Sequence, residues 1–160
     1  MVLASLFAAL TAICAWISIP IPPVTFTLQT LGILLALGIL GGKWGTVTIL
    51  VYLLTGIVGL PVFSGFRGGA AALLDATGGF LWGFLLGGFG YWLTEKLGKV
   101  PAMVVFLVIS YGCGVWWFAR WAGCGIPAAL FTCVVLYLVP DGVKLALAYT
   151  MSKRIGKYVK

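Results

Sequence analysis

The chain has 160 residues, of which 62% are hydrophobic and 8% charged, and it contains no histidine. A soluble domain carries about 25% charged residues, so this composition excludes an ordinary water-soluble domain and indicates a chain that lies almost entirely in a lipid bilayer. The net charge of +7 could suggest nucleic acid in a soluble protein, but here the bases lie at the ends of apolar segments, which is typical of membrane orientation. The length fits a single transmembrane domain over residues 1–160.

Runs of apolar residues predict an all-α fold in which the chain crosses the bilayer six times. A spanning helix needs about 20 apolar residues, with a usable range of roughly 17–25. Pro20, Pro22 and Pro23 end the first run, because proline lacks an amide hydrogen and disfavours helix in the residue before it. A glycine-rich stretch, residues 61–79, separates the third run from the fourth. The six predicted spans are residues 2–18, 28–40, 44–60, 80–97, 101–117 and 140–157.

The last span admits two interpretations, because Pro140 interrupts an apolar run that starts at Pro127. Either one long helix is kinked at Pro140, or a short half-helix over residues 127–139 precedes a final span that starts at Pro140. We prefer the second, since proline suits the first helical turn and Asp141 complements a helix N-terminus. Both interpretations leave six crossings.

The basic residues predict the orientation of these spans. Arg67 and Arg120 lie on the side of the loops 18–28 and 60–79. Seven bases lie on the other side: Lys43, Lys96, Lys99, Lys153, Arg154, Lys157 and Lys160. By the positive-inside rule, both termini are expected to be cytoplasmic and the two loops to face outward.

Asp141 and Lys144 are the first candidates for a binding site. They are three residues apart, so on a helix they share one face. Ionisable groups at membrane depth are expensive and usually functional. In a cavity, the aspartate would accept hydrogen bonds from N–H groups and the lysine would donate to carbonyl or carboxylate oxygens. The alternative is a self-neutralising pair that only packs, or an interfacial anchor.

Arg67 and Gln29 are the next polar candidates. Arg67 lies in the glycine-containing stretch 63–69, where backbone can approach a ligand closely and a guanidinium can hold a carboxylate with two hydrogen bonds. The alternative is an ordinary interfacial arginine, and pairing with Asp75 would weaken the ligand interpretation. Gln29 starts the second span, where its amide could form hydrogen bonds with a ligand edge that carries both a donor and an acceptor. Helix capping or a polar contact between helices is the alternative.

Aromatic residues are numerous, and most are expected to belong to the interfacial belt or to packing. One or two could stack on a flat ligand. We take Phe63, Tyr111 and Tyr137 as candidates for that role.

Ala4, Ala8 and Ala12 repeat at four-residue spacing, which places three small side chains on one ridge of the first span. Such ridges allow close helix approach in lipid. The ridge could serve a partner surface or internal packing, and the spacing does not separate the two.

Several catalytic signatures are missing. Gly42-Lys43 is followed by Trp44, so the phosphate-loop pattern GxxxxGK[ST] is missing and the chain is not expected to hydrolyse ATP. Three acidic residues and no histidine leave little material for acid–base catalysis. The four cysteines show no CxxC spacing, and no metal site is expected.

Three stretches together resemble the BioY family, the biotin-binding S components of energy-coupling factor (ECF) transporters. Residues 19–32 (IPIPPVTFTLQTLG) resemble its proline-rich first loop. Residues 59–65 (GLPVFSG), then 77–80 (TGGF) and 83–84 (GF), resemble its second outer loop. Residues 140–144 (PDGVK) resemble its last-helix motif. The resemblance covers nearly the whole chain and keeps the order and spacing of the motifs.

The resemblance implies the six-helix S-component fold, biotin bound near the outer face of a prokaryotic plasma membrane, and no cofactor. It implies a transmembrane coupling subunit and two ATP-binding-cassette ATPases as partners, with the alanine ridge as the docking motif. For biotin it suggests that Asp141 and Lys144 serve the ureido ring, aromatic residues the fused bicycle and Arg67 the carboxylate. The reverse assignment places Lys144 on the carboxylate.

The chain departs from the family pattern in two places. Residues 75–79 read Asp-Ala-Thr-Gly-Gly in place of the more usual Gly-Pro-Thr-Gly-Gly, and the usual basic leader does not precede the first span. The competing hypotheses are an S component for another vitamin, such as thiamine or lipoate, a stand-alone biotin facilitator and a membrane enzyme. A titration of ligands separates the first of these from a biotin S component.

Overall fold

The computed structural model describes residues 1–19 and 24–157, and most of them are helical. The helices are α1 Val2–Trp16, α2 Gln29–Ile57, α3 Gly78–Thr94, α4 Lys99–Ala122, α5 Ile126–Leu130 and α6 Leu138–Ile155. The first helix ends at Trp16, before the three prolines that were predicted to end it. Those prolines and Lys160 lie outside the described residues.

The loop after α1 folds back on itself as a small hairpin. Strand β1, Ser18–Ile19, pairs antiparallel with strand β2, Phe26–Thr27, in the register Ser18 to Thr27 and Ile19 to Phe26. The hairpin brings the start of α2 beside the end of α1, so this loop lies across one end of the bundle. The loop after α2 contains two short 3₁₀ turns, Ser64–Phe66 and Ala70–Leu73.

Helix α2 is broken at Gly41, whose φ of 81° and ψ of 173° are not helical. A Cβ at Gly45 would lie 2.7 Å from Leu37 Cα, although residues eight apart on a straight helix are separated by about 12 Å. The chain therefore reverses at Gly41, and residues 29–40 and 42–57 form two antiparallel arms. This confirms the two predicted spans on either side of the turn.

Glycine at Gly41 is required by its positive φ, and the neighbouring connection braces the turn. Glu95, between α3 and α4, accepts a hydrogen bond from the Gly42 amide at 2.5 Å. The Lys99 ammonium donates to the Gly38 carbonyl at 2.8 Å. These bonds satisfy backbone groups that the break in the helix leaves without helical partners.

The predicted end of the fifth span was wrong. Helix α4 does not fade near Trp117 but continues to Ala122, where Gly123 adopts the left-handed conformation with φ of 64°. Glycine after the last helical residue is a common helix terminator, and it outweighed the fading hydropathy.

The final segment follows the two-part interpretation. Helix α5 passes into a π-helical stretch, Phe131–Val135, and the chain then bends by 46° into α6. The second helix begins at Leu138 and not at Pro140, so Pro140 lies within its first turn, where a missing amide hydrogen costs nothing.

Small residues let the helices approach one another closely. Gly83 and Gly87 of α3 face α4, where a Cβ would lie 2.9 Å from Ser110 O and 2.8 Å from Phe106 O. Gly32 of α2 packs in the same way on Thr11 of α1. Glycine is thus required at these helix crossings by the distance between backbones.

The alanine ridge of α1 faces inward, which corrects its assignment as a docking motif. Ala4, Ala8 and Ala12 are 3%, 6% and 6% exposed, and Ala8 and Ala12 belong to the main hydrophobic core. Their methyl groups are occupied by contacts within the chain. The exposed side of α1 contains other small residues, Ser5 and Ala9.

By length and hydropathy, two helices qualify as membrane spans, Gln29–Ile57 and Lys99–Ala122. The bent pair Ile126–Val135 and Leu138–Ile155 qualifies when taken together. The reversal at Gly41 divides the first of these into two arms, and α1, at 15 residues, is apolar but shorter.

Met1 and the end of α6 lie at the same end of the bundle. Met1 and Gly156 line one surface cavity together with Leu40, Glu95 and Lys99. We call this the tail end. Lys99 and the basic last turn of α6 are there, whereas Arg67 lies at the opposite, loop end. This distribution of charge matches the predicted sorting of bases.

Candidate ligand-binding site

A cavity of about 90 Å³ lies at the loop end, enclosed by both loops and by helices α2, α3, α4 and α6. All seven residues that the sequence singled out for a ligand line it: Gln29, Phe63, Arg67, Tyr111, Tyr137, Asp141 and Lys144. They come from α2, from the loop after α2, from α4 and from α6 with the residue that precedes it. The fold therefore brings the candidates into one place, and their roles toward a ligand stay predictions.

Asp141 and Lys144 form a buried ion pair on one face of α6, with Lys144 Nζ 2.5 Å from Asp141 Oδ1. The two residues are 5% and 4% exposed. Lys144 also donates to the Thr27 carbonyl at 2.7 Å and to Thr30 Oγ1 at 3.3 Å. Both the structural and the functional interpretation apply, since the pair is internally satisfied and lines the cavity.

Aromatic rings surround this pair. The Tyr111 hydroxyl donates to Asp141 Oδ2, and the Tyr137 hydroxyl donates to the Val24 carbonyl. Phe26 stacks on Tyr137 with ring centroids 6.2 Å apart, and the Lys144 ammonium lies 4.1 Å from the centroid of Phe26. The rings provide flat apolar surface beside the charges, which suits a planar ligand with polar edges.

Gln29 contributes a polar group that the described part of the chain leaves without a partner. The residue is 5% exposed, and its amide nitrogen Nε2 makes no hydrogen bond to any described residue. Burying an unpaired amide donor costs free energy, so a ligand that accepts a hydrogen bond from Nε2 would gain stability from this group. The backbone amide of Gln29, by contrast, donates to Thr27 Oγ1 at 3.4 Å.

Arg67 reaches the cavity from the loop after α2, but its guanidinium already has partners within the protein. Its guanidinium forms an ion pair with Asp75, and its Nε donates to the Ser64 carbonyl at 3.1 Å. Both side chains of the ion pair are partly exposed, at 44% for Arg67 and 30% for Asp75. A ligand carboxylate would have to share Arg67 with this neighbour or displace it.

Several lining residues were not among the predicted candidates. Phe26, Thr27 and Thr30 lie within three residues of Gln29 along the chain, and this proximity to a predicted candidate was the available signal. Phe84 and Leu107 line the apolar wall, and Phe84 stacks on Phe106 across the crossing of α3 and α4, with ring centroids 6.0 Å apart. No local sequence pattern predicts such a contact between two helices.

The arrangement is suited to binding a small molecule with an apolar body and polar ends. It offers a carboxylate acceptor, an ammonium donor and an amide within an apolar, aromatic enclosure, as ligand pockets usually do. Among residues 1–19 and 24–157, no group of three or more histidine, cysteine, aspartate or glutamate side chains is placed to hold a metal ion.

Comparison with known proteins places the chain in a family. The family model described as the BioY family matches residues 1–160. The chain belongs to the BioY family.

Relatives within the BioY family are similar over nearly their whole length. The chain is 39% identical over 159 residues to the biotin transporter BioY of Thermotoga maritima, covering 96% of this chain and 94% of that protein. It is 38% identical over 153 residues to the probable biotin transporter BioY of Pyrococcus horikoshii, covering 96% and 93%.

A solved structure supports the same fold. The chain superposes on the S-component for biotin from an ECF-type ABC transporter with a TM-score of 0.90 and 26% identity, covering 98% of this chain and 89% of the other. The fold is therefore the ECF S-component fold of a BioY protein, as the sequence predicted.

Proposed function

We propose that this BioY protein is the high-affinity biotin-binding S component of an ECF-type uptake transporter, capturing biotin in the cavity at its loop end. The observation that carries the proposal is the buried Asp141–Lys144 pair facing that cavity. Beside it lies the side-chain nitrogen of Gln29, which has no partner within residues 1–19 and 24–157. Family membership and the similarity to biotin transporters support biotin as the ligand.

The chemistry of biotin complements this wall. Its ureido ring has two N–H donors and one carbonyl, its fused bicycle is apolar, and its tail ends in a carboxylate. Asp141 accepts from a ureido N–H by sharing the oxygens that Lys144 and Tyr111 already contact. An ammonium or amide donor, Lys144 or Gln29, serves the ureido carbonyl. The rings of Phe26 and Tyr137 enclose the bicycle.

We assign the carboxylate of biotin to Arg67. The arginine lies at the loop end of the cavity and offers a guanidinium fork that fits a carboxylate. Asp75 holds the guanidinium in the free chain. The reverse assignment, with Lys144 on the carboxylate, leaves Arg67 as the structural partner of Asp75.

The transport cycle needs partners, because the sequence lacks a phosphate loop. We propose a transmembrane coupling subunit and two ATP-binding-cassette ATPases, with the chain in the prokaryotic plasma membrane and both termini cytoplasmic. The bases at the tail end support that orientation. Ser5 and Ala9, on the exposed side of α1, offer the small side chains that close docking requires.

A ligand panel tests the proposed function. The purified protein, without ATP, is titrated by calorimetry with biotin, thiamine and lipoate. We expect saturable one-to-one binding of biotin alone. Tight binding of thiamine or lipoate in preference to biotin would assign the chain to another vitamin.

Uptake separates the S component from a stand-alone facilitator. Labelled biotin is offered to cells that make the chain with or without a coupling module. We expect accumulation against a gradient only with the module. Equal accumulation without it would contradict the partner assignment.

A further inference from the structure

The indole of Trp16, the last residue of α1, reaches across to the loop after α2. Its Nε1 donates to the Pro61 carbonyl at 2.7 Å. Its ring stacks on Phe66, with centroids 5.1 Å apart and planes 25° from parallel. We call residues 61–67 the Arg67 loop. One side chain of α1 thus contacts this loop at two points, through a hydrogen bond and through a ring.

Phe66 holds a backbone conformation that the stacking explains. Its φ of 58° is the one positive value among the non-glycine residues described, and a bulky residue there is unfavourable unless its surroundings hold it in place. Phe66 is also 64% exposed, so burial does not hold it. Trp16 is the aromatic ring against which Phe66 is stacked.

The Arg67 loop is part of the cavity wall. Phe63, Ser64 and Arg67 line the cavity, and the Phe63 amide donates to the Arg67 carbonyl at 3.0 Å, closing the loop on itself. Trp16 contacts Pro61 and Phe66, which are not among the residues that line the cavity. A change in that contact therefore reaches the cavity through a tight turn of seven residues, 61–67.

We propose that Trp16 is a positioning residue for ligand binding: it holds the Arg67 loop against the cavity from the end of α1, and this grip sets the rate at which a bound ligand leaves. The proposal rests on the proposed function for the identity of the ligand. Trp16 does not line the cavity, so it acts through the loop and not by contact with the ligand.

The test compares dissociation rates of labelled biotin from purified variants. Trp16→Ala, which removes both contacts, is expected to raise the dissociation rate about tenfold. Trp16→Phe keeps a ring but no N–H donor, so we expect an intermediate rate. Phe66→Ala is expected to raise the dissociation rate as well. The double variant Trp16→Ala/Phe66→Ala should add little to Trp16→Ala, because both substitutions remove the same ring contact. Trp82→Ala, at an exposed tryptophan of α3 outside the cavity, is the matched control with an unchanged rate.

A second readout does not need the ligand. Hydrogen exchange of the Phe63 amide in the free protein is expected to be faster in Trp16→Ala and unchanged in Trp82→Ala. If wild type binds no biotin, the proposed function fails, and the exchange rates still decide whether Trp16 holds the loop. Unchanged dissociation and unchanged exchange in both Trp16 variants would overturn the inference, as would equal effects of Trp16→Ala and Trp82→Ala.

Discussion

At the scale of single residues, the site combines polar groups whose hydrogen bonds are satisfied with one that has no partner among the described residues. Lys144 makes three hydrogen bonds within the protein, and both oxygens of Asp141 are engaged. Gln29 Nε2 has no partner among the described residues. A ligand can therefore form a new hydrogen bond most directly with Gln29. At Asp141 and Lys144 it either replaces an existing hydrogen bond or adds to those already made.

Removal of either charge should affect binding far more than folding. We expect Asp141→Ala and Lys144→Ala each to weaken biotin binding about tenfold to a hundredfold, since hydrogen bonds to charged groups contribute roughly 1.5–3 kcal/mol. We expect the loss of affinity to exceed this range where the remaining charge is left unpaired in a low-dielectric site. Calorimetry gives the affinity and thermal unfolding gives the stability. Loss of stability with unchanged affinity would indicate a structural ion pair.

Gln29→Met tests the unpartnered amide. Methionine keeps the length and apolar contacts of the side chain but has no amide, so we expect thermal stability to be preserved in the free protein. Biotin affinity should fall roughly two- to tenfold, the value of a neutral hydrogen bond. Full affinity in this variant would show that the Gln29 amide does not contribute to biotin binding.

Arg67→Ala, tested with biotin and with its methyl ester, identifies the partner of the carboxylate. If Arg67 holds the carboxylate, the variant should lose about tenfold in affinity for biotin and little for the uncharged ester. Asp75→Asn is the control: it removes the competing charge and keeps an oxygen for the Ala76 amide, so biotin should bind at least as tightly. If Lys144→Ala, and not Arg67→Ala, loses affinity for biotin but little for the methyl ester, the reverse assignment would be favoured.

At the scale of helices, spacing predicts a close approach but not which face meets which neighbour. The ridge of Ala4, Ala8 and Ala12 was correctly read as small residues at helix spacing, and the structure uses it internally. Gly83 and Gly87 serve the same purpose against α4 and carried the same pattern. Helices in lipid are apolar over most of their surface, so hydropathy alone does not mark the buried face.

Paired tryptophan substitutions on α1 separate its two faces. Ala8→Trp should overpack the core against α2 and lower the thermal unfolding temperature. Ala9→Trp, on the exposed side, should leave folding and biotin binding intact and prevent co-purification with the coupling subunit. A stable Ala8→Trp, or an Ala9→Trp that still assembles, would contradict this division.

At the scale of the whole molecule, the sequence predicted what depends on local chemistry. Apolar runs and prolines predicted the number of spans, and the turn at Gly41 was expected because two glycines and a lysine interrupt the run there. The end of α4 and the start of α6 were misplaced by a few residues, since helix ends are set by local backbone geometry that hydropathy averages out.

The candidate site shows the same limit. Asp141, Lys144, Arg67 and Gln29 were found because polar groups are conspicuous in an apolar chain. The engagement of Arg67 with Asp75 and the apolar wall of Phe84 depend on how the loops and helices cross, which no single stretch encodes.

The central claim is that biotin is recognised by the Asp141–Lys144 pair in the loop-end cavity. The most direct test is equilibrium binding of labelled biotin to wild type and to the double variant Asp141→Ala/Lys144→Ala. The double variant removes both charges together, so it leaves neither buried and unpaired and should stay folded. We predict stoichiometric binding by wild type and no detectable binding by the folded double variant. Normal biotin affinity in the double variant would contradict the account and shift the assignment to Gln29 and Arg67.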